Sequence, residues 1–179
     1  MKKITLHIIF FILFIVINGC SGYEPIFSSS NLQFEISNYS IEGDKKLGNK
    51  IYSKLYNLSK QNKNQEGTTG LNIVIKVSKE KIATTKNTAG KILEYKVNLN
   101  TKILIDNYLT DERILDKNFI SSSSYKVQDQ HSETIKNENK LIENLINQTY
   151  QELLIKLSEN ILVKWSSKVT SLKKKYLIA

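Results

Sequence analysis

Apolar and polar positions repeat along this chain with two periods, and the change from one to the other marks out the elements. Leu32, Phe34 and Ile36 alternate with polar residues, the period of a half-buried strand. After Glu42-Gly43-Asp44, in which Asp44 can cap a helix, Leu47, Ile51, Leu55 and Leu58 fall at spacings of four, four and three between Lys45 and Lys60. That spacing predicts one apolar face of an amphipathic helix. Gly48 weakens such a helix by up to about 1 kcal/mol relative to Ala, and a close approach to the sheet or a fraying first turn would each account for it. Gln61–Gly70 reads as a polar loop. Period two then returns three times, at Leu71–Val77 with a continuation towards Ile82, at Tyr95–Ile105, and more weakly at Leu115, Phe119, Ser121, Ser123 and Tyr125. The turn-rich stretches Thr84–Lys91 and Thr110–Arg113 separate these strands. From Ser132 to Lys164 there is no Gly or Pro, and Ile135, Ile142, Ile146, Thr149, Leu153, Leu157 and Ile161 recur at helical spacing, with Leu141, Leu145 and Leu154 widening the stripe. The order β-α-β-β-β-α, with one apolar sheet face, predicts an α+β two-layer sandwich: a four-stranded, mostly antiparallel sheet carrying two helices on one face.

The stretch ahead of this pattern decides where the domain resides. Lys2 and Lys3 precede an almost wholly apolar Ile4–Ile17, and that segment rises only about 21 Å as a helix against a hydrocarbon core of roughly 30 Å. It reads as a cleaved signal peptide. Ile17-Asn18-Gly19-Cys20 resembles the bacterial lipobox, although Asn18 stands where Ala or Ser is usual. The resemblance implies that the Cys20 sulfur takes a diacylglycerol before cleavage; an ordinary secretory signal ending at Cys20 is the other reading. Cys20 is the one cysteine, so it has no disulfide partner within the chain. Ser21, rather than Asp, follows it, which in such lipoproteins resembles the default signal for transfer to the outer membrane. The expected organisation is a signal peptide at 1–19, a lipidated tether at 20–30, an α+β domain at 31–165 and a basic tail at 166–179.

Charge and missing parts narrow the chemistry. Removing 19 of 179 residues leaves 160, with 24 basic against 17 acidic residues, a formal +7. Of the 26 basic residues 25 are Lys, which disfavours the bidentate base and phosphate readout that Arg performs; nucleic acid is not an expected partner, and an anionic lipid or membrane surface is. Beyond the leader there is one histidine, His131, and no second cysteine, so Ser-His, Cys-His and multi-histidine metal sites lack parts. No Gly-rich phosphate loop is present. Asp106, Asp111, Glu112 and Asp116 gather around one turn, where Asp is favoured for backbone reasons alone. A non-enzymatic protein without cofactor or metal is expected.

Cys20-Ser-Gly-Tyr23-Glu-Pro25-Ile-Phe27 resembles the CGYxPLY or CGFxPLY start of LPS-assembly lipoproteins of the LptE family, especially the shorter alphaproteobacterial type. The element order is similar to theirs, as is Phe119–Tyr125 (FISSSSY) shortly before a long final helix. Lys, Asn and Ile stand here where that family commonly has Ala and Arg. The resemblance implies an outer-membrane lipoprotein on the periplasmic side, held by its N-terminal lipid, that plugs and helps assemble an LptD-type β-barrel and meets lipopolysaccharide in transit. Lys86 and Lys91 in the meander loop, and Lys96, Lys102 and Arg113 on the strands, are the candidate contacts for lipopolysaccharide or the barrel, each as a point charge on a surface. A non-catalytic alternative of similar size and make-up is the auxiliary lipoprotein of an ABC-type lipid transporter.

Overall fold

The computed structural model describes residues 32–61 and 68–176, with side chains described within 32–60 and 68–160. The signal peptide, Cys20 and the tether lie outside the described residues, as do the middle of the 61–70 loop and residues 177–179. The elements are strand β1 (Phe34–Gly43), helix α1 (Lys45–Gln61), strands β2 (Thr69–Lys86), β3 (Ile92–Asn107) and β4 (Arg113–Lys126), and helix α2 (His131–Tyr176). They form one sheet in the order β1-β2-β3-β4, with β1 parallel to β2 and the other pairs antiparallel. The parallel pair follows from α1: a helical crossover returns the chain to the end from which β1 started, whereas β2, β3 and β4 are joined by tight turns. The fold is α+β in the expected order, and the sheet is mixed.

One parity of each strand supplies the core. Leu71, Ile73, Ile75 and Val77 of β2, Val97, Leu99, Ile103 and Ile105 of β3, and Leu115, Phe119 and Tyr125 of β4 are buried, while the residues between them face outward. Strand β1 changes parity at Ser37, where the pairing slips by one residue between Ile36 and Asn38. A bulge of this kind turns side chains to the other face, so Ile36 before it and Ile41 after it both pack on the core. Helix α1 covers β1 and β2, and α2 covers β4 and β3.

The start of α1 is built as the sequence predicts. The Leu47 amide donates to Asp44 Oδ1 at 3.1 Å, an N-cap bond that satisfies one of the first-turn donors. Leu47, Ile51, Leu55 and Leu58 are all buried. Gly48 lies against Ile41: a Cβ there would sit 2.4 Å from Ile41 Cγ2, so the close approach to the sheet is what requires glycine. Gly48→Ala is therefore expected to destabilise the protein although Ala is the better helix former. In an Ile41→Ala background the same change should stabilise, because the obstructing methyl is gone and the helix-propensity gain of about 1 kcal/mol is left. A thermal or urea double-mutant cycle reads the change of sign; equal effects in both backgrounds would show that the helix does not approach β1 at Gly48.

Helix α2 is longer than the expected 132–164, running from His131 to Tyr176. Within the described side chains it carries the predicted stripe, with Ile142, Ile146, Thr149, Leu153 and Leu157 buried and Leu141 and Leu145 beside them, and Ile161 lies outside the described side chains. The serine-bearing strand explains how close it lies. Ser121 is buried and shares a 3.0 Å hydrogen bond with the buried Thr149 hydroxyl, a contact a larger residue would block, whereas Ser123, expected on the inner face, is exposed. Ile135 departs from the expected core and is 46% exposed. The reason is the height at which β1 and α1 stop: Gly43 pairs with Val77, and the Asp44 amide donates to the Val77 carbonyl at 2.8 Å. Past that level the first turn of α2 lies on the sheet with no second helix beside it.

Candidate functional site

Beyond Val77, strands β2 and β3 run on to a projecting hairpin. Its turn is fixed locally: Gly90, at φ 80°, donates its amide to the Asn87 carbonyl at 3.0 Å, and Asn87 Oδ1 accepts from the amides of Ala89 at 3.1 Å and Lys91 at 2.8 Å. This tightens the expected 84–91 turn to Asn87–Gly90, and β2 extends to Lys86 accordingly. With β1 ended, the outer edge of β2 carries Lys79, Lys81 and Lys86, a charge pattern that discourages further strand pairing.

A latch holds the hairpin to α2. Glu138 Oε2 accepts from Lys81 Nζ and from the Tyr125 hydroxyl, each at 2.6 Å, and Lys81 Nζ lies 4.3 Å from the centre of the Tyr95 ring, which stacks on Tyr125. Burial acts to raise the Glu138 carboxyl, but the hydrogen bonds from Lys81 and Tyr125 outweigh it and hold the group below its ordinary value. Glu143 is lowered too, chiefly by its bond from Lys50. A carboxyl more acidic in the folded than in the unfolded chain stabilises above the unfolded value, and that contribution is lost as pH falls through the folded one. Melting temperature should thus hold level above the carboxylate range and decline below it. Glu138→Gln is expected to lower it at neutrality and to make the acid decline shallower; an unchanged acid limb would mean that the latch does not form.

The candidate contacts divide into two groups. Lys86, Lys91 and Lys96 lie on the hairpin half, are exposed, and among the described residues their side chains make no ion pair. Lys102 and Arg113 lie towards the other end. Lys102 reaches Asp116 at 3.5 Å, and Arg113 pairs with Asp106 and with Asp116, the latter at 3.4 Å. Lys96 and Lys102 share the outer face of β3 but stand about 20 Å apart at the rise of a strand. The structure therefore does not bring the five together.

Between the two groups the outer face is mostly uncharged and hydrogen-bonding. Ser78, Asn100 and Ile120 align across the sheet, as do Glu80, Asn98 and Ser122, and Ile82, Lys96 and Ser124. Ile120 is 68% exposed and Ile82 41%. This band of amides and hydroxyls with two apolar points was not singled out from the sequence. Its signal lay in the parity of FISSSSY: Ser122 and Ser124 fall on the polar face, opposite in direction to Ser121.

No protein-family profile matches the sequence, and no curated protein does. Solved structures do. A lipoprotein from Caulobacter crescentus CB15 superposes with TM-score 0.52 at 10% identity, covering 72% of this chain and 91% of its own. Lipoprotein B from Nitrosomonas europaea, solved by NMR, superposes with TM-score 0.51 at 15% identity, covering 74% and 88%. At these identities the likeness is one of fold: this chain has the architecture that both lipoproteins share.

Proposed function

We propose that this chain is an outer-membrane lipoprotein of the LPS-assembly type, anchored through Cys20 on the periplasmic side. Its domain sits in the lumen of an LptD-type β-barrel, assists that barrel's assembly and meets lipopolysaccharide. The observation that carries the reading is the one-sided sheet. Both helices cover one face, which leaves a long polar outer face, a band of Ser and Asn set between charged residues and interrupted by apolar points such as Ile82 and Ile120. A barrel lumen is itself polar, so such a face suits it as a wall-to-wall contact. Lys86, Lys91 and Lys96 on the hairpin half, which make no ion pair among the described residues, offer point charges to a phosphorylated glycolipid. The fold shared with two lipoproteins supports the anchor, and the role is non-catalytic.

The test is affinity recovery of the tagged full-length protein from detergent-solubilised membranes of its own host, with partners identified by mass spectrometry. A large outer-membrane barrel in near-equal amount is expected. Recovery of an inner-membrane permease and ATPase instead would overturn the reading in favour of a transporter auxiliary. For the ligand, the triple change Lys86→Gln, Lys91→Gln, Lys96→Gln should weaken salt-sensitive lipopolysaccharide binding. Lys102→Gln, whose parent lysine is already paired, should leave it near the wild-type level.

A further inference from the structure

We infer that the free edge of β4 is a docking site for an extended segment of another polypeptide, which joins the sheet as an added strand. The hydrogen-bond phase of the sheet sets which groups are on offer. One step beyond the Glu94–Lys126 pair, the Val127 amide donates to the Leu93 carbonyl opposite it at 2.9 Å, so these two residues form a hydrogen-bonded pair. In an antiparallel ladder such pairs alternate with pairs that do not bond. Odd-numbered residues of β4 are therefore bonded to β3, and the N–H and C=O groups of Asp116, Asn118, Ile120, Ser122 and Ser124 point away from the sheet. Both ends of this row are closed: the Ile114 carbonyl accepts from the Asn160 side-chain amide at 3.1 Å, and the Lys126 carbonyl from the Gln128 side-chain amide at 3.4 Å. Between them, among the described residues, no group outside the strand bonds to the row.

The other open edges carry devices that discourage pairing. Strand β1 is interrupted by its bulge at Ser37 and bears Glu35 and Glu42, and the upper part of β2 presents Lys79 and Lys81. Strand β4 lacks them: its pairing with β3 runs without a bulge from Leu115 to Lys126, and Asn118–Tyr125 holds no charged residue. Beside this edge, on the helix side, lies a groove of about 260 Å³ between the Lys117–Ile120 stretch of β4 and Glu152, Ile155 and Lys156 of α2. An added strand sends alternate side chains to opposite faces. One would enter the groove against Phe119 and Ile155 while its neighbour meets the exposed Ile120 on the outer face.

The row and its flanks specify the occupant. A line of backbone donors and acceptors at strand spacing is matched by an extended polypeptide. Lys117 and Lys126 stand at the two ends of the uncharged stretch and make no ion pair among the described residues. The complementary segment is therefore uncharged in its middle and acidic at its ends. A second copy does not fit. Helix α2 runs along β4 itself, with Glu138 bonded to Tyr125, Thr149 to Ser121 and Asn160 to Ile114. Copies joined edge to edge at the strand spacing of about 4.8 Å would bring their α2 helices closer than the roughly 8–10 Å at which helices pack. The inference stands on the sheet alone and is independent of the barrel reading, since recovery of a barrel tests the partner and not the strand.

The probe is a short peptide of alternating Val and Thr with an Asp at each end, added to the chain from residue 20 onward carrying Cys20→Ser. In the free chain, amide hydrogen exchange should be fast at Asn118, Ile120, Ser122 and Ser124 and slow at Phe119, Ser121 and Ser123, which β3 holds. The peptide should slow the four alternate amides and leave the others unchanged. Ser122→Pro removes an N–H that points away from the sheet, so it should keep the wild-type circular dichroism and weaken peptide binding about tenfold or more, through a lost strand hydrogen bond and a ring in its path. Ile120→Lys, which leaves the backbone as it is, should weaken binding comparably, as should a peptide with Lys in place of both Asp. Alternate amides already protected in the free chain overturn the inference, as does a peptide that protects none of them. So does wild-type binding by Ser122→Pro or Ile120→Lys, or equal binding of the Lys-ended peptide. Protection that grows with protein concentration in the absence of peptide also overturns it, since that would put a second copy on the edge.

Discussion

Leu153→Asp is expected to abolish the folded state. Leu153 is fully buried on the stripe of α2 that lies on the sheet, near the Ser121–Thr149 contact. Truncating a buried leucine costs about 2–5 kcal/mol through lost transfer energy and the cavity left behind. A carboxylate in its place must also be ionised without a partner or protonated against its solution preference, which adds several kcal/mol. The sum reaches the whole stability of an ordinary domain, about 5–15 kcal/mol. Gln151→Asp, exposed and on the other side of the same turn, is the control and should melt near the wild-type temperature. Circular dichroism decides between them: a Leu153→Asp protein with a cooperative, wild-type-like melt would mean that α2 is not docked as described.

That dependence on one stripe is also why so much of the fold was legible in the sequence. Where a face is buried over several turns or strand pairs, the period is written in consecutive apolar residues, as at Leu47–Leu58 and Leu71–Val77, and the structure follows it. Where an element outruns its cover, the pattern misleads. Ile135 continues the helical stripe numerically, yet β1 and α1 have ended by the level of Val77 and nothing is left to bury it. The parity change at Ser37 was hidden for a different reason: a bulge is set by the register of the neighbouring strand, and no residue in Ser37-Asn38-Tyr39 announces it locally.

The candidate site was less legible, because exposed charge carries no period. Five basic residues picked from loops and polar strand positions proved to be two groups, and only the strand register separates them. Lys102 and Arg113 are engaged by Asp116, and Arg113 also by Asp106, carboxylates that the sequence explained as turn residues. Lys86, Lys91 and Lys96 stand on a hairpin whose projection depends on where β1 stops. The glycines were easier to read in place than in purpose, since Gly43 punctuates the sequence but its contact lies 34 residues further along, at Val77.

Gly43→Ala is expected to be the most damaging Gly→Ala change among the described glycines. Gly43 ends β1 at φ 75°, a left-handed conformation that lets Asp44 both donate its amide to the Val77 carbonyl and cap α1. A Cβ at Gly43 would lie 2.1 Å from that same Val77 oxygen, a backbone atom that cannot swing aside. Two costs therefore add. The conformation alone disfavours an L-residue by about 1–2 kcal/mol, and the collision forces β1 from β2 at the point where the helical crossover begins. Gly90→Ala separates them, because Gly90 has φ 80° but a Cβ there would meet nothing within 4 Å. It should lose about 1–2 kcal/mol, the conformational part alone, while Gly43→Ala should lose upwards of about 3 kcal/mol, backbone strain together with a clash that cannot relax. Urea unfolding of the two variants measures the difference. Equal losses would show that β1 does not close on the Val77 carbonyl, and the N-cap of α1 would then need another explanation.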